Sequence, residues 1–100
     1  MIFMITIYGM NSCPDCTYVE KQVAGNEEYR VVDIGRSVAA LKAFLRLRDT
    51  EAVFADAKRD GYVGIPCFVL ADGRVTLTPE EAGLESRPTG EFCNIDGSGC

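Results

Sequence analysis

The chain has no histidine, so any catalysis that needs an imidazole base is excluded. It has no basic run either: 10 Lys and Arg stand against 15 Asp and Glu, for a net charge of −5. Binding to a nucleic-acid backbone needs clustered cations, so no nucleic acid is expected as a partner. No apolar stretch approaches the roughly 18 residues of a membrane helix, so no membrane is expected. The apolar opening, Met1–Tyr8, lacks a basic leader and a small-residue cleavage site, and reads as a strand rather than a signal peptide. A cytoplasmic, reducing location is the resulting expectation. Repeats, linkers and low-complexity stretches are also missing, and 100 residues make one domain.

Cysteine, in contrast, is plentiful. There are five, an odd number that cannot all pair within one molecule. In a reducing compartment such residues are more often catalytic or metal-binding than structural.

The pattern along the chain alternates strands and helices. Ile2 to Tyr8 is nearly continuous apolar sequence rich in β-branched residues, as in a strand covered on both faces. A helix should start at Cys13-Pro14, proline suiting the first helical position, and end at Gly25-Asn26. Tyr29 to Ile34 reads as a second strand. Ser37 can cap a helix with an apolar face of Val38, Leu41, Phe44 and Leu45. Asp49-Thr50 looks like a fresh cap, followed by inward-facing Val53, Phe54 and Ala57 up to Asp60-Gly61. Ile65 to Leu70, the Asp72-Gly73 turn and Arg74 to Leu77 make a hairpin. Thr78-Pro79-Glu80-Glu81 has the form of a capping box opening a short last helix. The two strands joined by the first helix should lie parallel, which gives an α/β fold with a small mixed sheet.

Cys13-Pro14-Asp15-Cys16 carries the chemistry. Disulfide exchange needs a thiolate, and a free thiol is mostly protonated near neutrality. A helix N-terminus offers unpaired N–H groups and partial positive charge, both of which favour an anion. Cys13 stands at such a terminus, and Cys16 one turn on can attack a mixed disulfide formed there. Helical phase turns Cys16 inward with Val19 and Val23 and leaves Cys13 exposed. Asp15 opposes the helix dipole by a comparable amount, about 1.4 kcal/mol per pKa unit, so a mildly acidic or near-neutral thiol is expected. Zinc half-sites also use this spacing, which keeps a metal reading open.

The stretch from Ile5 to Cys16, ending in Cys13-Pro14-Asp15-Cys16, resembles the active-site region of glutaredoxins. Gly64-Ile65-Pro66-Cys67, running into Asp72-Gly73, resembles that family's second motif. Together the likeness spans about Ile2 to Leu77. It implies a thioredoxin fold, a four-stranded mixed sheet with helices on both faces, over residues 1–87, with an irregular cysteine-containing tail over 88–100. It also implies a thiol-disulfide oxidoreductase in which Cys13 attacks and Cys16 resolves. Pro14 would lie in the substrate-binding region. Pro66 would be a cis-proline facing Cys13, leaving the backbone of Ile65 to pair with substrate.

The implied partners are a disulfide-bearing protein or small molecule and an electron donor. No tightly bound cofactor is implied, and glutathione enters as a co-substrate. Met10 stands where glutaredoxins typically carry a lysine, and Leu77-Thr78-Pro79 where they carry a glycine pair. Glutathione and a flavoprotein disulfide reductase are therefore both open as donors. The segment Arg46–Val63 is longer than in glutaredoxins and reads as a surface helix.

Three cysteines remain as candidate auxiliary thiols. Cys67 suits a small buried core position. Cys93 and Cys100 could form a relay or sensing disulfide that exchanges with Cys13 and Cys16, or join them around zinc or an iron-sulfur group, or lie free in the tail.

Overall fold

The computed structural model describes residues 4–88. In chain order these form β1 (Ile5–Gly9), α1 (Pro14–Gln22), β2 (Tyr29–Asp33) and α2 (Val38–Thr50). A 3-10 turn (Ala52–Phe54), α3 (Ala55–Asp60), β3 (Cys67–Val69), β4 (Val75–Thr76) and a last 3-10 turn (Pro79–Ala82) follow. The strands make one four-stranded sheet in the order β2-β1-β3-β4. β1 and β2 run parallel, while β1–β3 and β3–β4 are antiparallel. The expected mixed α/β sheet is thus present. Among the described residues no helix is long and apolar enough to cross a membrane.

Alternation along the central strands divides the core in two. Ile7 lies opposite Phe68, and both pack with Val19 of α1, with Val23 just past its end, and with Leu70, Ala82 and Leu84. The next pair, Tyr8 opposite Cys67, points to the other face, where Phe44 of α2, Phe54 of the 3-10 turn and Ala57 of α3 are buried. Successive strand residues face opposite ways, so helices cover both sides of the sheet.

Several boundaries differ from the sequence expectations. α1 stops at Gln22, short of Gly25-Asn26. α2 runs through Asp49-Thr50, because the Thr50 hydroxyl donates back to the Arg46 carbonyl at 2.7 Å instead of capping a new helix. The break falls at Glu51, whose backbone is extended. β3 begins at Cys67, after Pro66, which has no N–H to give to the ladder.

The expected capping box at Thr78 does not form. Thr78 makes no side-chain cap; the Thr76 hydroxyl instead accepts the Thr78 N–H at 3.1 Å and pairs with the Glu81 carboxylate. The segment that follows is a single 3-10 turn.

α2 is also rotated from its expected phase. Phe44 is fully buried, but Val38 is 68% exposed, and Leu41, Leu45 and Val53 are exposed too. The Arg48 guanidinium explains the rotation. Its Nε donates to the Val63 carbonyl at 2.9 Å and its Nη2 to the Tyr62 carbonyl at 2.7 Å. Those bonds turn the Phe44–Leu47–Arg48 side inward and leave the other apolar residues in water.

Candidate functional site

The site is built where β1 ends and α1 begins. Ser37 caps α2 by accepting from Ala40 N at 3.0 Å; the cap of α1 is Cys13 itself. Its backbone is extended (φ −96°, ψ 115°), Pro14 follows at the first helical position, and its sulfur accepts the backbone N–H of Cys16 at 3.3 Å. A hydrogen bond from Cys13 N to the Met10 carbonyl, 3.2 Å, closes the turn that delivers it there. Cys13 and Cys16 are both free thiols, as is Cys67.

Cys16 is fully buried, as its helical phase indicates. Cys13 departs from expectation, being only 3% exposed. The reason is its place in the core: it packs in one cluster with Cys16, Ile34, Phe44, Phe54, Ala57, Ile65 and Cys67. Met10 and Leu77 pack against that cluster.

The two thiols divide one proton between unequal sites. The Cys16 thiol donates to the Cys13 sulfur, and this is the main influence holding Cys13 below an ordinary thiol. The Cys16 N–H adds to it, while burial and the charge of Asp15 push upward without prevailing. The same hydrogen bond, then burial, raises Cys16 far above the ordinary range. Cys13 is therefore the sulfur that ionises, and Cys16 the one that keeps its proton.

Asp15 opposes ionisation of Cys13, as its position in the sequence indicates. Its carboxylate meets the Arg87 guanidinium at 2.6 Å, with both side chains about three-quarters buried. Arg87 is brought there because residues past the last turn lie along α1. Gln22 Nε2 donates to the Glu85 carbonyl and Glu85 N donates to Gln22 Oε1, each at 2.8 Å. No local sequence signal marks Arg87, since its partner lies 72 positions away.

The Ile65–Pro66 bond is cis. Ile65 and Cys67, on either side of that proline, belong to the cluster that holds Cys13 and Cys16. Pro14 lies exposed beside the dithiol. Cys67 is fully buried, and burial, followed by the charge of Glu51, pushes its thiol up to about 12. It packs in the core as the sequence suggests. Cys93 and Cys100 lie outside the described residues. Among the described residues no group of three or more Cys, Asp or Glu is placed to hold a metal ion.

Two further residues border the dithiol. A Cβ placed on Gly9 would lie 2.9 Å from Cys16 Sγ and 3.3 Å from Glu20 Oε2. Glycine at the end of β1 is what lets the helix carrying Cys16 approach the sheet so closely. The helical i, i+4 spacing of Cys16 and Glu20 was the available signal for the second residue.

No family model matches the chain, and no solved structure matches it. Over 72 residues, 71% of this chain and 84% of the relative, it is 38% identical to an uncharacterized protein of Haemophilus influenzae. The chain belongs to the same protein family as that Haemophilus influenzae protein.

Proposed function

We propose that the protein is a glutaredoxin-like thiol-disulfide oxidoreductase of the thioredoxin fold. The carrying observation is that both the N–H and the thiol of Cys16 are directed at the sulfur of Cys13 at the head of α1. The sheet order, the β-α-β unit and the cis-proline preceding β3 support the same reading.

The Cys13 thiolate attacks one sulfur of a substrate disulfide. A Cys13–substrate disulfide forms, and the other substrate sulfur leaves as a thiolate. Cys16 then loses its proton and attacks the Cys13 sulfur. The substrate's second thiolate leaves, and a Cys13–Cys16 disulfide remains. The dithiol has given up two electrons and the substrate disulfide has gained them. The dithiol's protons pass to the departing thiolates. Glutathione or a flavoprotein disulfide reductase then returns the pair to the dithiol. Ile65 and Pro66 hold the substrate backbone beside Cys13.

The test is turnover of a mixed glutathione disulfide and of a protein disulfide, each with both recycling systems. Cys13→Ser should abolish turnover throughout. Cys16→Ser should abolish protein disulfide reduction and accumulate the mixed disulfide. Turnover that survives Cys13→Ser would overturn the proposal.

A further inference from the structure

Cys16 presents a difficulty to its own reaction. It must be deprotonated to resolve the mixed disulfide, yet it is fully buried and its thiol is held well above the ordinary range. A proton acceptor inside the fold is required, and histidine is unavailable in this chain. Cys16 Sγ and Glu20 Oε2 both lie close to the point where Gly9 lacks a Cβ, at 2.9 and 3.3 Å from it. The two atoms stand no farther apart than the sum of their distances to that point, a span that one water or a side-chain rotation bridges.

We infer that Glu20 is the proton acceptor for Cys16 in the resolving step. Three observations converge on it. Glu20 lies one turn after Cys16 on α1, so both side chains rise along the same face. Both side chains pack against the same bare face of Gly9, where a Cβ would meet each of them. The Glu20 carboxyl is pushed above the usual carboxylate range by burial and then by the charge of Asp33 on β2, which brings its basicity toward that of a thiol. The ionisable groups facing it are Asp33 from the sheet and Cys16 from its own helix.

In the step, the Cys16 S–H bond breaks and its proton goes to the Glu20 carboxylate. The sulfur's electron pair forms the bond to Cys13 Sγ, the Cys13–substrate bond breaks, and the leaving thiolate is protonated by Glu20 or by water. The inference rests on the dithiol reading.

The two are separable with an aromatic disulfide whose released thiolate absorbs visible light. Attack by Cys13 releases a first equivalent and attack by Cys16 a second. In Glu20→Gln the first release should stay within about twofold of wild type. The second should slow by about 100-fold near neutral pH and lose its carboxylate inflection. Glu20→Asp, which keeps the charge, should recover to within about tenfold of wild type. A second release in Glu20→Gln at the wild-type rate, or one that slows while keeping the wild-type pH profile, overturns the assignment. Absence of the first release in wild type would instead remove the dithiol reading and this inference with it.

Discussion

The Asp15 carboxylate and the Arg87 guanidinium meet at 2.6 Å beside the first turn of α1, joining the C-terminal end of the described chain to the residue between the two thiols. The contact lies within reach of the Cys13 sulfur and adjusts the charge around it. Asp15 raises the Cys13 thiol, and Arg87 is the cation paired with that carboxylate, so its removal should leave more of the negative charge unopposed. Asp15→Asn should therefore move the inflection of Cys13 alkylation to lower pH. Arg87→Ala should move it to higher pH. Each shift should be on the order of half a pKa unit, the scale of a partly screened charge near a helix terminus. Alkylation rate against pH on the purified variants measures both. Shifts of the same sign in the two variants would rule out the electrostatic account.

Gly9 is the position where space, not charge, governs the site. A methyl group there would meet Cys16 Sγ at 2.9 Å and Cys16 Cβ at 3.1 Å, so β1 and α1 must separate to admit it. Gly9→Ala should cost about 1–3 kcal/mol in chemical denaturation, the usual scale of overpacking. Formation of the Cys13–Cys16 disulfide should also slow, because the helix that carries both sulfurs is displaced. An unchanged denaturation midpoint would show that α1 accommodates the methyl freely.

These contacts mark what could and could not be read in advance. The β1–α1 junction, the N-terminal placement of Cys13, the inward turn of Cys16 and the cis-proline motif all follow from local spacing or from the glutaredoxin resemblance. The rotation of α2 does not, because the deciding bonds run from Arg48 to the Tyr62 and Val63 carbonyls. Its apolar residues Val38, Leu41 and Leu45 alone suggest a different buried face. Thr78-Pro79-Glu80-Glu81 misleads for a similar reason: Thr76 reaches the Thr78 N–H and Glu81 first. The burial of Cys13 was hidden as well, since the walls around it come from α2, α3 and the Ile65–Cys67 segment.

Cys67 should behave as a packing residue. Its thiol, pushed up to about 12 by burial, stays protonated across the physiological range. A thiol whose folded-state pKa lies above its unfolded value favours the folded state in full below the ordinary thiol pKa. That contribution is lost as pH rises from there toward 12. Wild type should therefore lose stability between about pH 8.5 and 12 relative to Cys67→Ala. At neutral pH the same variant should be less stable by about 1–2 kcal/mol, from the small cavity, while keeping disulfide turnover. Thiol labelling of Cys67 under native conditions at the rate of an accessible cysteine would contradict this.

The burial of Cys13 leads to a prediction about access. The sulfur is held as the ionising member of the pair, yet only 3% of the residue meets solvent. Reaction with any electrophile must therefore follow a local opening of the packing around it. An opening that costs about 1.4 kcal/mol reduces the observed rate about tenfold. Above its inflection, Cys13 should alkylate at least about tenfold more slowly than a small-molecule thiolate of equal basicity. A bulky maleimide should be retarded more than iodoacetamide, because it needs a wider opening. Urea well below the unfolding midpoint should accelerate both, and the bulky reagent more. Stopped-flow measurements with the two reagents give the comparison directly. If their rate ratio on Cys13 equals the ratio on the free thiolate, and urea leaves it unchanged, the sulfur reacts without any opening and its burial does not limit access.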